Sequence, residues 1–100
     1  MAVSKIDISI VTISFNQGEF LERCISSVMN VVSSRVEYIL VDAGSTDRSL
    51  DVIDKYRDRI DHLIIESDRG PADGLNKGVQ KARGKYVFYI NADDFIYPEA

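Results

Sequence analysis

Two adjacent aspartates, Asp93-Asp94, follow the apolar run Tyr86-Val87-Phe88-Tyr89-Ile90. Ionising both side by side is unfavourable unless a cation is near. A hard divalent ion such as magnesium or manganese meets that need, because it takes oxygen ligands. It is often held by one or two protein carboxylates, with phosphate oxygens and water completing its shell. Taken alone, the pair fits a solvated turn or a helix cap better than a metal site. Other polar residues without a packing role gather after apolar runs: Ser14 and Asn16, Asp42 and Ser45, Asp68 and Arg69, and Asn91. Each also has a plainer reading. Asp42 suits a turn before Gly44, Asn16 suits the cap of a following helix, and His62 suits a strand edge. Phe15 is either core or an aromatic at a crevice mouth, where it could stack on a base.

The elements that would carry these residues alternate. Ile6 to Ser14 is rich in β-branched residues and reads as a first strand. Asn16-Gln17-Gly18-Glu19 has the form of a capping box, so a helix is predicted from there. Its apolar stripe is Phe20, Leu21, Cys24, Ile25, Val28, Met29 and Val32, and Cys24 reads as packing. Glu37 to Val41 is a second strand, ending in the turn cluster Asp42-Ala43-Gly44-Ser45-Thr46-Asp47. Leu50, Ile53 and Ile60 continue at helical spacing, and His62 to Glu66 is a third strand. Pro71 suits a first helical position, Ala72, Leu75, Val79 and Ala82 the buried stripe, and Gly84 the stop. Tyr86 to Asn91 is the fourth strand. The pattern predicts an α/β fold with a mainly parallel four-stranded sheet, strand order 3-2-1-4, and helices on both faces. Ligand is expected in the crevice at the carboxyl ends of strands one and four.

Length and composition narrow the function. One hundred residues, 45% hydrophobic and 28% charged, describe one globular unit. A net charge of -4 with interspersed signs offers no basic stripe for nucleic acid. Cys24 is the one cysteine, which excludes an internal disulfide and fits a reducing cytosol. No apolar run reaches the roughly 18 residues of a membrane span. A phosphate-cradling Gly-rich loop ending in Lys-Ser or Lys-Thr is absent, as is a dinucleotide fingerprint after the first strand.

Read together, the segments resemble the family 2 glycosyltransferases of GT-A, Rossmann-like three-layer fold. Five blocks carry the resemblance in family order: Ile10-Val11-Thr12-Ile13-Ser14-Phe15-Asn16; Ser26-Ser27-Val28-Met29-Asn30; Glu37 through Asp47; Asp68-Arg69-Gly70 with Leu75-Asn76-Lys77-Gly78; and Ala82-Arg83-Gly84-Lys85-Tyr86 leading to Asn91-Ala92-Asp93-Asp94. The resemblance implies that residues 1–100 are the nucleotide-sugar-binding part of such a domain, stopping before the acceptor-binding part. Ile13, Ser14 and Phe15 would line the base pocket, and Asp42 would accept a hydrogen bond from base or ribose. Asp68, Asp73 and Asn76 would face the diphosphate or sugar. Asp93 would lie toward the ribose, and Asp94 would be the direct ligand of Mn2+ or Mg2+, with Asp93 beside it.

The implied reaction is inverting transfer of a sugar from a nucleotide diphosphate sugar, a UDP-sugar in first place, to an acceptor hydroxyl in polysaccharide or cell-envelope synthesis. No catalytic base is assigned; the resemblance puts it beyond Ala100, together with the contacts to an acceptor sugar or lipid-linked glycan. The expected location is the cytoplasm, at the inner face of the membrane for the full-length protein. A homodimer through surface exposed by truncation is a further expectation. Three departures bear on the site: Ala43 and Asn91 stand where many members carry an acid, and Leu75 where many carry an arginine. Arg69 or Lys77 would then supply the positive charge. The rival readings are a non-catalytic nucleotide-binding or interaction module, and a phosphoacceptor receiver domain. The latter fits poorly, because its acidic pair would follow the first strand.

Overall fold

The computed structural model describes residues 5–97. Its strands are β1 (Ile8–Ser14), β2 (Val36–Asp42), β3 (His62–Ile65) and β4 (Tyr86–Asn91). The helices are α1 (Gly18–Met29), α2 (Ser49–Tyr56) and α3 (Pro71–Lys81), with a single 3-10 turn at Arg57–Arg59. The strand-to-strand pairings are parallel and the order is β3-β2-β1-β4, as the alternation predicts. β1 is therefore internal and shares register with both β2 and β4: Ile13 stands opposite Val41 on one side and Asn91 on the other.

Alternation along β1 and β2 sends side chains to two cores. Ile10, Tyr38 and Leu40 pack with Leu21, Ile25 and Val28 of α1 and Val52 and Ile53 of α2. Val11, Ile39 and Val41 pack on the other face with Leu75 and Ala82. The chain thus winds α1 and α2 over one face and returns with α3 over the other. Such winding leaves a crevice where the direction changes, between β1 and β4.

Two details differ from the sequence reading. In α3 the buried residues are Gly74 and Gly78, whereas Ala72 and Val79 are exposed. A Cβ on Gly78 would stand 2.5 Å from Val11 Cγ1, so the helix lies on the sheet through its glycines. The apolar stripe flanks that contact. Asn16 does not cap α1: the cap position is Gln17, and the Gly18 N–H donates instead to Asp47 Oδ2 (2.9 Å). Asp47 Oδ1 also accepts from Ser49 N–H (2.8 Å), so one carboxylate serves the first turns of α1 and α2. The Ser49 side chain, then the Ser49 and Gly18 backbone N–H groups, hold its carboxyl below the usual range.

Candidate functional site

A cleft of about 720 Å3 opens at the carboxyl ends of the strands. The end of β1 contributes Ile13 and Ser14, the loop after it Phe15 and Gln17, and the loop after β2 contributes Ala43 and Gly44. Ser67, Asp68, Gly70 and Pro71 follow β3, Asn91 ends β4, and Ala92 and Asp93 follow it. Phe15 is 55% exposed, so its ring is a free face on this cleft, not core. Asp68 is fixed by an Asx-type turn, its Oδ1 accepting from Gly70 N–H (2.9 Å). Asn91 lines the cleft and accepts at Oδ1 from the Tyr89 hydroxyl. Burial first, then the charges of Asp93 and Asp94, push the Tyr89 phenol up.

Asp42 is placed differently from the sequence expectation. It is fully buried, and its two oxygens accept from Ser14 Oγ (2.7 Å), Ser45 Oγ (2.6 Å), Gly44 N–H (3.1 Å) and Ser45 N–H (2.7 Å). Those donors occupy the lone pairs that a base or ribose would have used. Asp42 organises the loop whose backbone reaches the cleft.

The acid pair divides. Asp93 borders the cleft, whereas Asp94 borders a second hollow of about 500 Å3 formed with Ile10, Val31, Phe88, Phe95 and Ile96. Asp94, expected as the direct ligand, is thus not among the residues lining the cleft, and Asp93 is the acid of the pair that borders it. The turn that carries the pair is closed by Asp94 N–H donating to Asn91 O (2.9 Å). Among the described residues no group of three or more His, Cys, Asp and Glu could enclose a metal ion. The donor set therefore fits a cation held by one carboxylate, with phosphate oxygens and water completing its shell, and not a closed protein cage.

Asp73 and Asn76 lie on α3 and do not line the cleft. Asp73 Oδ2 accepts from Arg69 N–H (3.0 Å), and Asn76 is exposed. Lys77 is occupied by Glu66 (3.1 Å) and the Ser67 carbonyl (3.1 Å). Among the described residues lining the cleft there is no Lys or Arg; Arg69 and Lys77, expected to supply positive charge, are not among them.

Sequence reasoning missed three supports. Glu37 is 1% exposed inside β2 and accepts from Ser9 Oγ (2.6 Å), Arg83 N–H (2.7 Å) and the Arg83 guanidinium (3.1 Å). A carboxylate inside an apolar run was a visible signal of a buried partner. Helix α1 grips the acidic turn: Arg23 donates to Asp93 O (3.3 Å) and lies 4.4 Å from the Phe95 ring centroid, and Ser27 Oγ accepts from Ile96 N–H (2.9 Å). Asn16 ties two loops, as described below. Cys24 packs as expected, its thiol pushed up by burial in α1.

An open, doubly wound α/β sheet with its crevice at the strand carboxyl ends defines the class. Residues 9–100 match the model of Glycosyl transferase family 2, and the chain belongs to that family. An uncharacterized glycosyltransferase of Haemophilus influenzae is 36% identical over 92 residues, covering 89% of this chain and 37% of that protein. S. aureus TarS 1-349 in complex with UDP superposes with a TM-score of 0.80 at 23% identity, over 93% of this chain and 29% of that one. Glucosyl-3-phosphoglycerate synthase from Mycobacterium tuberculosis, solved with Mn2+, UDP and glucosyl-3-phosphoglycerate, gives 0.74 at 20% identity, over 90% and 36%. The structural likenesses establish the fold, and the chain spans little more than a third of the Haemophilus relative.

Proposed function

We propose that this chain carries the donor site of a glycosyltransferase that moves a sugar from a nucleotide diphosphate sugar to an acceptor hydroxyl, inverting the anomeric carbon. One observation carries the reading: the cleft pairs an exposed aromatic, Phe15, with the carboxylates Asp68 and Asp93 and no basic side chain among its described lining residues. A nucleotide's two halves match the two ends. The flat base stacks on Phe15, beside the backbone of Ile13 and Ser14. The diphosphate approaches two carboxylates, which repel it unless a divalent cation accompanies it. Asp93 would hold that Mn2+ or Mg2+, which when bound supplies charge stabilisation to the departing diphosphate. The Mn2+ and UDP in the mycobacterial complex support this choice of ligand pair.

Asp68 and Asp93 flank the space where the diphosphate and sugar would lie. Arg23 and Ser27, by gripping the chain at Asp93 and at Ile96, keep that carboxylate at the cleft without touching ligand. A base must deprotonate the acceptor. We assign it, with the acceptor contacts, to sequence outside the described residues. A cytoplasmic location, at the inner face of the membrane for the whole protein, belongs to the same proposal.

Calorimetric titration of UDP with and without Mn2+ tests the reading. Binding is expected only with Mn2+, weakened about tenfold or more in Asp93→Asn, the loss of one charged ligand contact being worth about 1.5–3 kcal/mol. Asp94→Asn is expected to change it far less. Equal binding without metal, or none with it, would reject the donor site.

A further inference from the structure

Asn16 is the one non-glycine with positive φ among the described residues (φ 52). That conformation costs a residue with a Cβ about 1–2 kcal/mol, less for asparagine, so something must hold it. Its backbone N–H donates to Ser45 Oγ (2.9 Å), and its Oδ1 accepts from Thr46 N–H (2.8 Å) and Asp47 N–H (3.3 Å). Each bond crosses from the loop after β1 to the loop after β2. Ser45 Oγ in turn donates to Asp42, and Ala43 N–H donates to Ser14 O (2.9 Å), so the bracket continues down to the strand ends.

The two loops so joined are adjoining walls of the cleft. Phe15 and Gln17, the neighbours of Asn16, form one, and Ala43 and Gly44 form the other. Asn16 itself does not line the cleft. Its left-handed turn directs the chain away after Phe15, leaving that ring exposed on the cleft, while its side chain fixes the loop that begins with Ala43.

We propose that Asn16 is a positioning residue: it sets the gap between the Phe15 ring and the Ala43-Gly44 backbone, the slot that takes the flat heteroaromatic base of a nucleotide. The inference rests on the donor-site reading above. Ring stacking depends on separation, since a gap of about 0.5–1 Å beyond contact forfeits a quarter to a half of the dispersion well. A loop freed to move by that amount loses the base without losing any group that touches it.

Three substitutions separate the parts. Asn16→Gly keeps the backbone conformation and deletes the Oδ1 acceptor, Asn16→Asp restores an acceptor, and Gly78→Ala perturbs packing away from the cleft as a control for destabilisation alone. With Mn2+ present, UDP affinity is expected to fall about tenfold in Asn16→Gly, the order of one lost hydrogen-bond pair, to recover in Asn16→Asp, and to stay near wild type in Gly78→Ala. Wild-type affinity in Asn16→Gly, or an equal loss in Gly78→Ala, would overturn the proposal. Amide spectra of the free protein read the bracket without nucleotide. Resonances of Ala43, Gly44, Thr46 and Asp47 are expected to move in Asn16→Gly and return in Asn16→Asp; unmoved Ala43 and Gly44 overturn it. If wild type binds no UDP, the donor reading falls, and these amides alone decide whether Asn16 sets the wall.

Discussion

Two buried carboxylates sit one strand-length apart in β2 and are satisfied in opposite ways. Asp42, at the carboxyl end, accepts only from neutral hydroxyls and backbone N–H groups, whereas Glu37, near the other end, meets the guanidinium of Arg83. Burial pushes the Glu37 carboxyl up, but the Ser9 hydroxyl, the Arg83 N–H and the Arg83 charge outweigh it and leave it below its ordinary value. A carboxyl lowered on folding adds stability that is present above its unfolded pKa of about 4.3 and is lost as pH falls through the lower folded value. Glu37→Gln is therefore expected to cost about 2 kcal/mol at neutral pH, the scale of a hydrogen bond to a charged group, and to flatten the fall in stability below about pH 4.5. Urea titrations at pH 7 and pH 3.5 check both, and an unchanged acid limb would remove Glu37 as its cause. Residue type and position near a strand end were legible in the sequence, which is why Phe15, Ser14, Ile13, Asp68 and Asp93 were expected at the crevice where they lie. Side-chain direction was not legible. Asp42 is turned inward by its own loop and by the Ser14 hydroxyl on a strand far away in sequence, and Asp94 borders a different hollow; apolar spacing encodes neither.

At the level of elements, periodicity located every strand within two residues, yet it misjudged how α3 meets the sheet. Apolar spacing selected Ala72 and Val79, but the buried residues are Gly74 and Gly78, four apart on one face. Glycine carries no hydrophobic signal, so a contact made by close backbone approach is invisible to a hydropathy pattern. Gly84 repeats the lesson: it does not terminate α3 but packs on β1, where a Cβ would stand 2.7 Å from Ser9 N. Close approach also gives a prediction. In Gly78→Ala the new methyl would meet Val11 Cγ1 at 2.5 Å and Val41 Cγ2 at 3.3 Å, both on stiff β-branched side chains in the core. Overpacking of about 1–3 kcal/mol then exceeds the gain of about 1 kcal/mol in helix propensity, and a net loss of stability is expected in thermal unfolding. A variant more stable than wild type would mean that α3 can slide off the sheet at little cost.

Across the whole molecule, burial is lopsided. β1 and β2 are covered on both faces, whereas Tyr86, Val87, Phe88 and Tyr89 of β4 are all exposed. Four consecutive exposed residues must point to both faces of the sheet, so β4 is bare above and below. Its outer edge also has no strand partner among the described residues. An apolar edge strand of this kind offers unpaired backbone groups and apolar side chains to any similar surface. Purified as these one hundred residues, the protein is expected to self-associate with rising concentration, and Phe88→Lys to suppress it, since Phe88 is 58% exposed and a lysine there costs little in the monomer. Sedimentation velocity across a dilution series of both forms reads this directly. A sedimentation coefficient independent of concentration in the wild type would show that β4 tolerates water on its faces and edge. Association that persists in Phe88→Lys would instead move the contact to another surface.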